Sequence, residues 1–100
     1  MSRMISLEFL YQGTLHHTLV RCLSLDGVRQ VRVTIMNGEL EALLSGHHIF
    51  HIDDGRLVPA KPGTDPAVTD LQSAIRQTLH DSDDFLELLR EFSAPMRQTG

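Results

Sequence analysis

Apolar and polar residues alternate with a period of two through most of the first 58 positions, the signature of strands with one buried face. Ile5, Leu7, Phe9 and Tyr11 alternate with Ser6, Glu8 and Leu10. A second strand is expected from Thr14 to Leu25, with Leu15, Leu19, Leu23 and Leu25 on one side and Thr18, Val20, Cys22 and Ser24 on the other. In the third, Val31, Val33 and Ile35 oppose Arg32, Thr34 and Met36; in the fourth, Leu40, Ala42 and Leu44 oppose Glu39, Glu41 and Leu43. The fifth places Phe50 and Ile52 opposite Ile49 and His51, and Arg56-Leu57-Val58 can pair with it as a short sixth.

Four glycine-centred breaks separate these runs: Gln12-Gly13, Asp26-Gly27, Asn37-Gly38 and Asp54-Gly55. Asn-Gly and Asp-Gly supply the positive φ angles of tight hairpin turns, so an antiparallel meander is expected. Asn37-Gly38 in particular reads as a primed two-residue turn with positive φ at Gly38. Ser45-Gly46 ends the fourth run.

The segment Pro59-Ala60-Lys61-Pro62-Gly63-Thr64 cannot continue a ladder, because its prolines lack backbone donors. Asp65-Pro66 then opens a helix with an N-cap carboxylate and proline at the first helical position. Val68, Leu71, Ile75 and Leu79 follow at helical spacing, and Phe85, Leu88, Leu89 and Phe92 form a second stripe. Between them, His80-Asp81-Ser82-Asp83-Asp84 is poor in helix formers and rich in caps. Two helices or one bent helix satisfy this pattern. The fold expected is α+β: an antiparallel meander of five or six strands, followed by one or two C-terminal helices packed on one face. Residues 1–93 form one domain and 94–100 a disordered tail. Val33, Ile35, Leu40, Leu44, Phe50, Leu71, Ile75 and Phe85 are expected in the core.

The tract from Gly46 to Leu57, followed by a linker and an acidic amphipathic helix, resembles small uncharacterised bacterial proteins of Bacteroidetes type. Their pattern is a meander closed by a glycine, an apolar strand, an Asp-Gly turn and a short strand, with one or two terminal helices. The resemblance implies this fold and brings no functional residues with it.

The chain has 100 residues, the size of one domain. Its 41% apolar and 22% charged residues are those of a folded chain. The net charge of −4 offers no electropositive surface to nucleic acid. Cys22 is the single cysteine, which excludes an internal disulfide. With neither a signal-peptide core nor a bilayer-length apolar run, the chain reads as a cytoplasmic bacterial protein.

Six histidines are the one compositional oddity. His47, His51 and Asp53, with His48 and Asp54 beside them, are ligand types for zinc or another divalent ion. On one strand, however, His47 and His51 lie roughly 13 Å apart at about 3.3 Å per residue, too far to share an ion. The bland reading places these histidines on solvated positions. No nucleophile–base pair, phosphate loop or calcium loop is present, and no cofactor is implied. The reading favoured by the sequence is a non-enzymatic interaction or accessory domain that binds a protein partner or itself. The alternative is a small metal- or ligand-dependent enzyme using the histidines near strand five. A second, thinner apolar set (Leu10, Val20, Cys22, Met36, Leu43 and Ile49) is expected to line the face the helices leave bare, where a homodimer would form.

Overall fold

The computed structural model of the chain describes residues 2–25, 28–53 and 55–93. Five strands form one antiparallel sheet in the order in which they occur: β1 (Ser2–Tyr11), β2 (Thr14–Leu25), β3 (Val28–Ile35), β4 (Ile49–Asp53) and β5 (Arg56–Pro59). Three helices accompany them: α1 (Gly38–Leu44), α2 (Pro66–His80) and α3 (Asp83–Ser93). Asp26-Gly27, Asp54, the side chain of Phe92 and residues 94–100 lie outside the described residues.

The first hairpin turns on Gln12 and Gly13, both at positive φ (51° and 79°), the geometry of a primed two-residue turn. That turn sets Tyr11 opposite Thr14, and every later pair follows: Phe9 opposite His16, Leu7 opposite Thr18, Ile5 opposite Val20. Residues directly opposite share a face. The inward residues of β2 are therefore Thr18, Val20 and Cys22, with Val20 and Cys22 both 0% exposed. This reverses the expectation for β2, whose leucines instead face outward, Leu15 at 59% exposure. The register with β3 carries the same face onward, pairing Val20 with Val33 and Cys22 with Val31. Val31 in turn lies opposite Phe50, and Ile52 opposite Leu57.

The expected fourth strand is a helix. Asn37 does not turn a hairpin but caps α1: at φ −154° its side-chain oxygen accepts from the backbone N–H groups of Glu39 (3.1 Å) and Leu40 (3.0 Å). Gly38 is the first residue of the helix and does not adopt positive φ. Glu39 and Glu41 sit in the first turn, where the helix dipole favours negative charge. Glu41 also accepts from the Ile35 amide (3.0 Å), tying the helix to the end of β3. Leu40, Leu43 and Leu44 recur at helical spacing and pack into the core, Leu44 completely. Gly46, at φ 81°, ends the segment before β4. Of the candidate interface residues, Leu43 thus belongs to α1 against the core, and Val20 and Cys22 to the covered face of the sheet.

The helices cover one face only. Helices α2 and α3 lie against β1, while α1 contacts β3 and α2. Leu71, Ile75 and Leu79 of α2, with Phe85, Leu88 and Leu89 of α3, meet Phe9, Val20, Val33 and Phe50 in one continuous core. Asp65 caps α2, accepting from the Ala67 amide, and Ser82 caps α3, its hydroxyl accepting from Phe85 N–H at 3.2 Å. The break between them yields two helices. Between β5 and α2, the backbone is fastened by Gln72, a buried polar residue on the core side of α2. Its amide nitrogen donates to the carbonyls of His47 (3.1 Å) and Lys61 (3.2 Å), and its oxygen accepts from Gly63 N–H (3.2 Å). A Cβ at Gly63 would strike the Val68 side chain, so the close approach requires glycine there.

Candidate functional site

The fold separates the histidines. His47 lies in the connection before β4, its Nδ1 atom 2.8 Å from the Lys61 carbonyl. His48 continues toward β4, its carbonyl accepting from Val33 N–H at 3.0 Å. His51 stands within β4, opposite Gln30 and Val58, and its side chain alternates away from Phe50 onto the face without helices. Asp53 is exposed and opposite Arg56. Among the described residues, no group of three or more His, Cys, Asp or Glu side chains is placed to hold a metal ion. His16 packs beside the Phe9 ring (centroids 6.4 Å apart), and His17 faces outward opposite Glu8.

Cys22 is sealed in the core. Burial pushes its thiol up to about 11, an effect the neighbouring Arg3 guanidinium only partly opposes. At neutral pH the group is a protonated packing element rather than a thiolate nucleophile. Tyr11 also titrates above its ordinary value: burial is the main cause, and its hydroxyl donates to Asp70 (2.8 Å), whose charge adds to the effect.

The surface with most chemical content is the open face of the sheet. Three of the candidate interface residues lie there: Leu10 and Met36, each more than 60% exposed, and Ile49, half-buried. Sequence reasoning placed the other three there too, but missed Met4, Leu15, Leu19, Leu23 and Val58, which the strand registers put on this side. The apolar side chains are spread over all five strands and interleaved with polar ones: Glu8 opposes His17, Thr34 stands beside Leu19, and Gln30 and His51 lie between Leu23 and Val58. Met4, Arg21, Arg32 and Ile49 stand directly opposite one another on β1, β2, β3 and β4. A depression of about 260 Å³ opens over this row, lined by Met4, Leu19, Arg21, Arg32, Thr34 and His48.

The two arginines are cross-strand neighbours of like charge, an arrangement that destabilises a sheet unless something compensates it. Among the described residues no carboxylate pairs with either guanidinium; Arg32 makes one long bond, 3.4 Å, to Gln30. Its Nε atom is buried without a hydrogen-bond partner. Neither arginine is conspicuous in the sequence, because only the register of β2 with β3 brings them side by side. No described helix is long and apolar enough to cross a membrane. Compared with known proteins, the chain matches no family model, no curated protein and no solved structure.

Proposed function

We propose that this chain is a non-enzymatic interaction domain of the bacterial cytoplasm whose open sheet face binds a polypeptide, foremost a second copy of itself. The observation that supports this reading is the number of large apolar side chains exposed on this one face. Met4, Leu10, Leu15 and Met36 are each more than half exposed, and Leu19, Leu23, Ile49 and Val58 join them across neighbouring strands. Single exposed apolar residues are ordinary, but so many large ones on one sheet face, set among polar neighbours, suit a contact surface. A symmetric dimer covers the same patch on both copies, the commonest arrangement for soluble oligomers. The net charge of −4 disfavours nucleic acid as the partner.

Light scattering at tens of micromolar tests the proposal. The expected mass is twice the 11.2 kDa of one chain. Leu15→Glu, at an exposed position of the patch, is expected to return the monomer mass with an unchanged circular dichroism spectrum. Leu43→Glu is unsuited to this purpose, since Leu43 packs against the core and its replacement attacks the fold. A monomer mass for the wild type sinks self-association and leaves the face to a foreign polypeptide.

A further inference from the structure

We propose that Arg21 and Arg32, with Thr34 and His48, form a binding site for the carboxylate group of a small ligand with an apolar body. The site is complete within one copy and does not require self-association.

Four observations converge on it. Arg21 and Arg32 lie directly opposite on neighbouring strands and project to the same open face. Cross-strand partners have Cβ atoms about 5 Å apart, so the two guanidinium groups reach the same small volume. Among the described residues no carboxylate is bonded to either: Glu41, which borders Thr34 and His48, accepts from the Ile35 amide, and the outward strand acids Glu8 and Asp53 are each four residues along their strands from the row that holds the pair. At about 3.3 Å per residue that is roughly 13 Å, beyond a Debye length at physiological salt. The Nε–H of Arg32 is buried and unanswered, a donor removed from water with nothing to receive it. Finally, the pair borders a depression of about 260 Å³ to which Thr34 and His48 also contribute polar atoms.

The chemistry of the ligand follows from the surroundings. Guanidinium forks match the two oxygens of a carboxylate and bind them with paired, charge-assisted hydrogen bonds. Met4 and Leu19 form the rest of the wall, and Ile49 stands next in the row, so the remainder of the ligand meets apolar surface. A net charge of −4 favours a monoanion over a phosphate dianion. Pockets for drug-sized ligands measure roughly 300–1,000 Å³, which marks this one as a site for something smaller.

Octanoate is a suitable probe, titrated against ¹⁵N-labelled protein below the concentration at which the chain self-associates. The readout is the pair of Nε–H signals of Arg21 and Arg32. Saturable displacement of both is expected, weakened about tenfold or more in Arg32→Gln and in the exposed-site variant Arg21→Gln. Ile49→Glu provides a further check. It places a carboxylate directly opposite Arg32, and occupation of the guanidinium from within the chain is expected to abolish the response. Absence of saturation by about 10 mM octanoate, an affinity too weak to be a site, overturns the proposal. Equal binding of octanol overturns the role of the arginines, and equal binding of inorganic phosphate overturns the assignment to an apolar carboxylate. The mass measurement above decides self-association separately, so either reading can fail while the other stands.

Discussion

Strand β2 presents two surfaces that differ in everything except their backbone. Inward, Thr18, Val20 and Cys22 are short side chains, each at most 3% exposed, lying under two helices. Outward, Leu15, Leu19 and Leu23 are larger and more apolar, yet they are exposed or only half-buried, on the face that the described helices do not cover. Hydrophobicity alone would have turned the strand over. What decides is register: side chains alternate strictly, so the facing of one strand dictates that of its neighbour, and a slip by one residue would invert every contact. Phe9 and Tyr11 of β1 bring the bulk to the core, and the small residues of β2 make room for the helices above them. The leucines are left on the open face.

The contrast is sharpest where the core is densest. Phe9→Ala, beneath α2 on the covered face, is expected to cost about 3–5 kcal/mol in urea unfolding. A cost below about 1 kcal/mol, the range of exposed sites, would show that the two faces are not distinct. Gln72→Leu keeps the approximate volume on α2 but strands the carbonyl of His47 and the amide of Gly63, and leaves the Lys61 carbonyl only the His47 ring. Its expected cost is about 1–3 kcal/mol, read as a lowered denaturation midpoint with no new cavity.

Alkaline pH probes the covered face through Cys22. Its thiol is pushed from 9.0 when free to about 11 in the folded chain, so folding favours the protonated form. The corresponding stability is complete below pH 9 and is lost as pH rises through about 11. Tyr11 is shifted in the same direction and deepens the loss. Thermal melts should therefore fall across this interval, and Cys22→Ala, though less stable throughout, should show a shallower decline.

Smaller effects separate the helix from the turn that Asn37-Gly38 resembles. A primed turn would make Gly38→Ala destabilising. In the first turn of α1, with open space where a Cβ would stand, the same change is expected to stabilise by up to about 1 kcal/mol. A lowered melting temperature would restore the hairpin. The smallest effect belongs to the open face: Leu15→Ser should alter the stability of the monomer by no more than about 0.5 kcal/mol.

Much of this architecture is legible in the residues themselves. The alternation in β1 and β3, the caps at Asp65 and Ser82 and the stripe from Val68 to Leu79 all describe what the structure contains. The facing of β2 was also present: once Gln12 and Gly13 are the whole turn, Tyr11 must meet Thr14 and Ile5 must meet Val20. The leucine content of β2 points the other way, because it reflects one strand without the turn that pairs it to β1. Residues 38–44 are ambiguous for a different reason. Leu40, Ala42 and Leu44 fit a strand, and Leu40, Leu43 and Leu44 fit a helix; the run Glu-Leu-Glu-Ala-Leu-Leu of strong helix formers after an Asn cap breaks the tie. Gln72 could not be recognised from its position, since its partners are backbone groups of two distant loops. The arginine pair is hidden likewise, because its members stand eleven positions apart on two different strands.

The bond between Tyr11 and Asp70 joins residues 59 positions apart, and with it the helices that follow the sheet close over the strand that begins it. During synthesis this imposes an order of events. The first hairpins can pair as soon as they emerge, since their contacts are local. Phe9, Val20 and Val33 must then wait for Leu71, Ile75 and Phe85 to leave the ribosome before anything shields them. At about 5–20 residues per second, the 50 to 60 residues between these segments take roughly 3–12 s. Throughout that interval the inward faces of the nascent strands stand open to water.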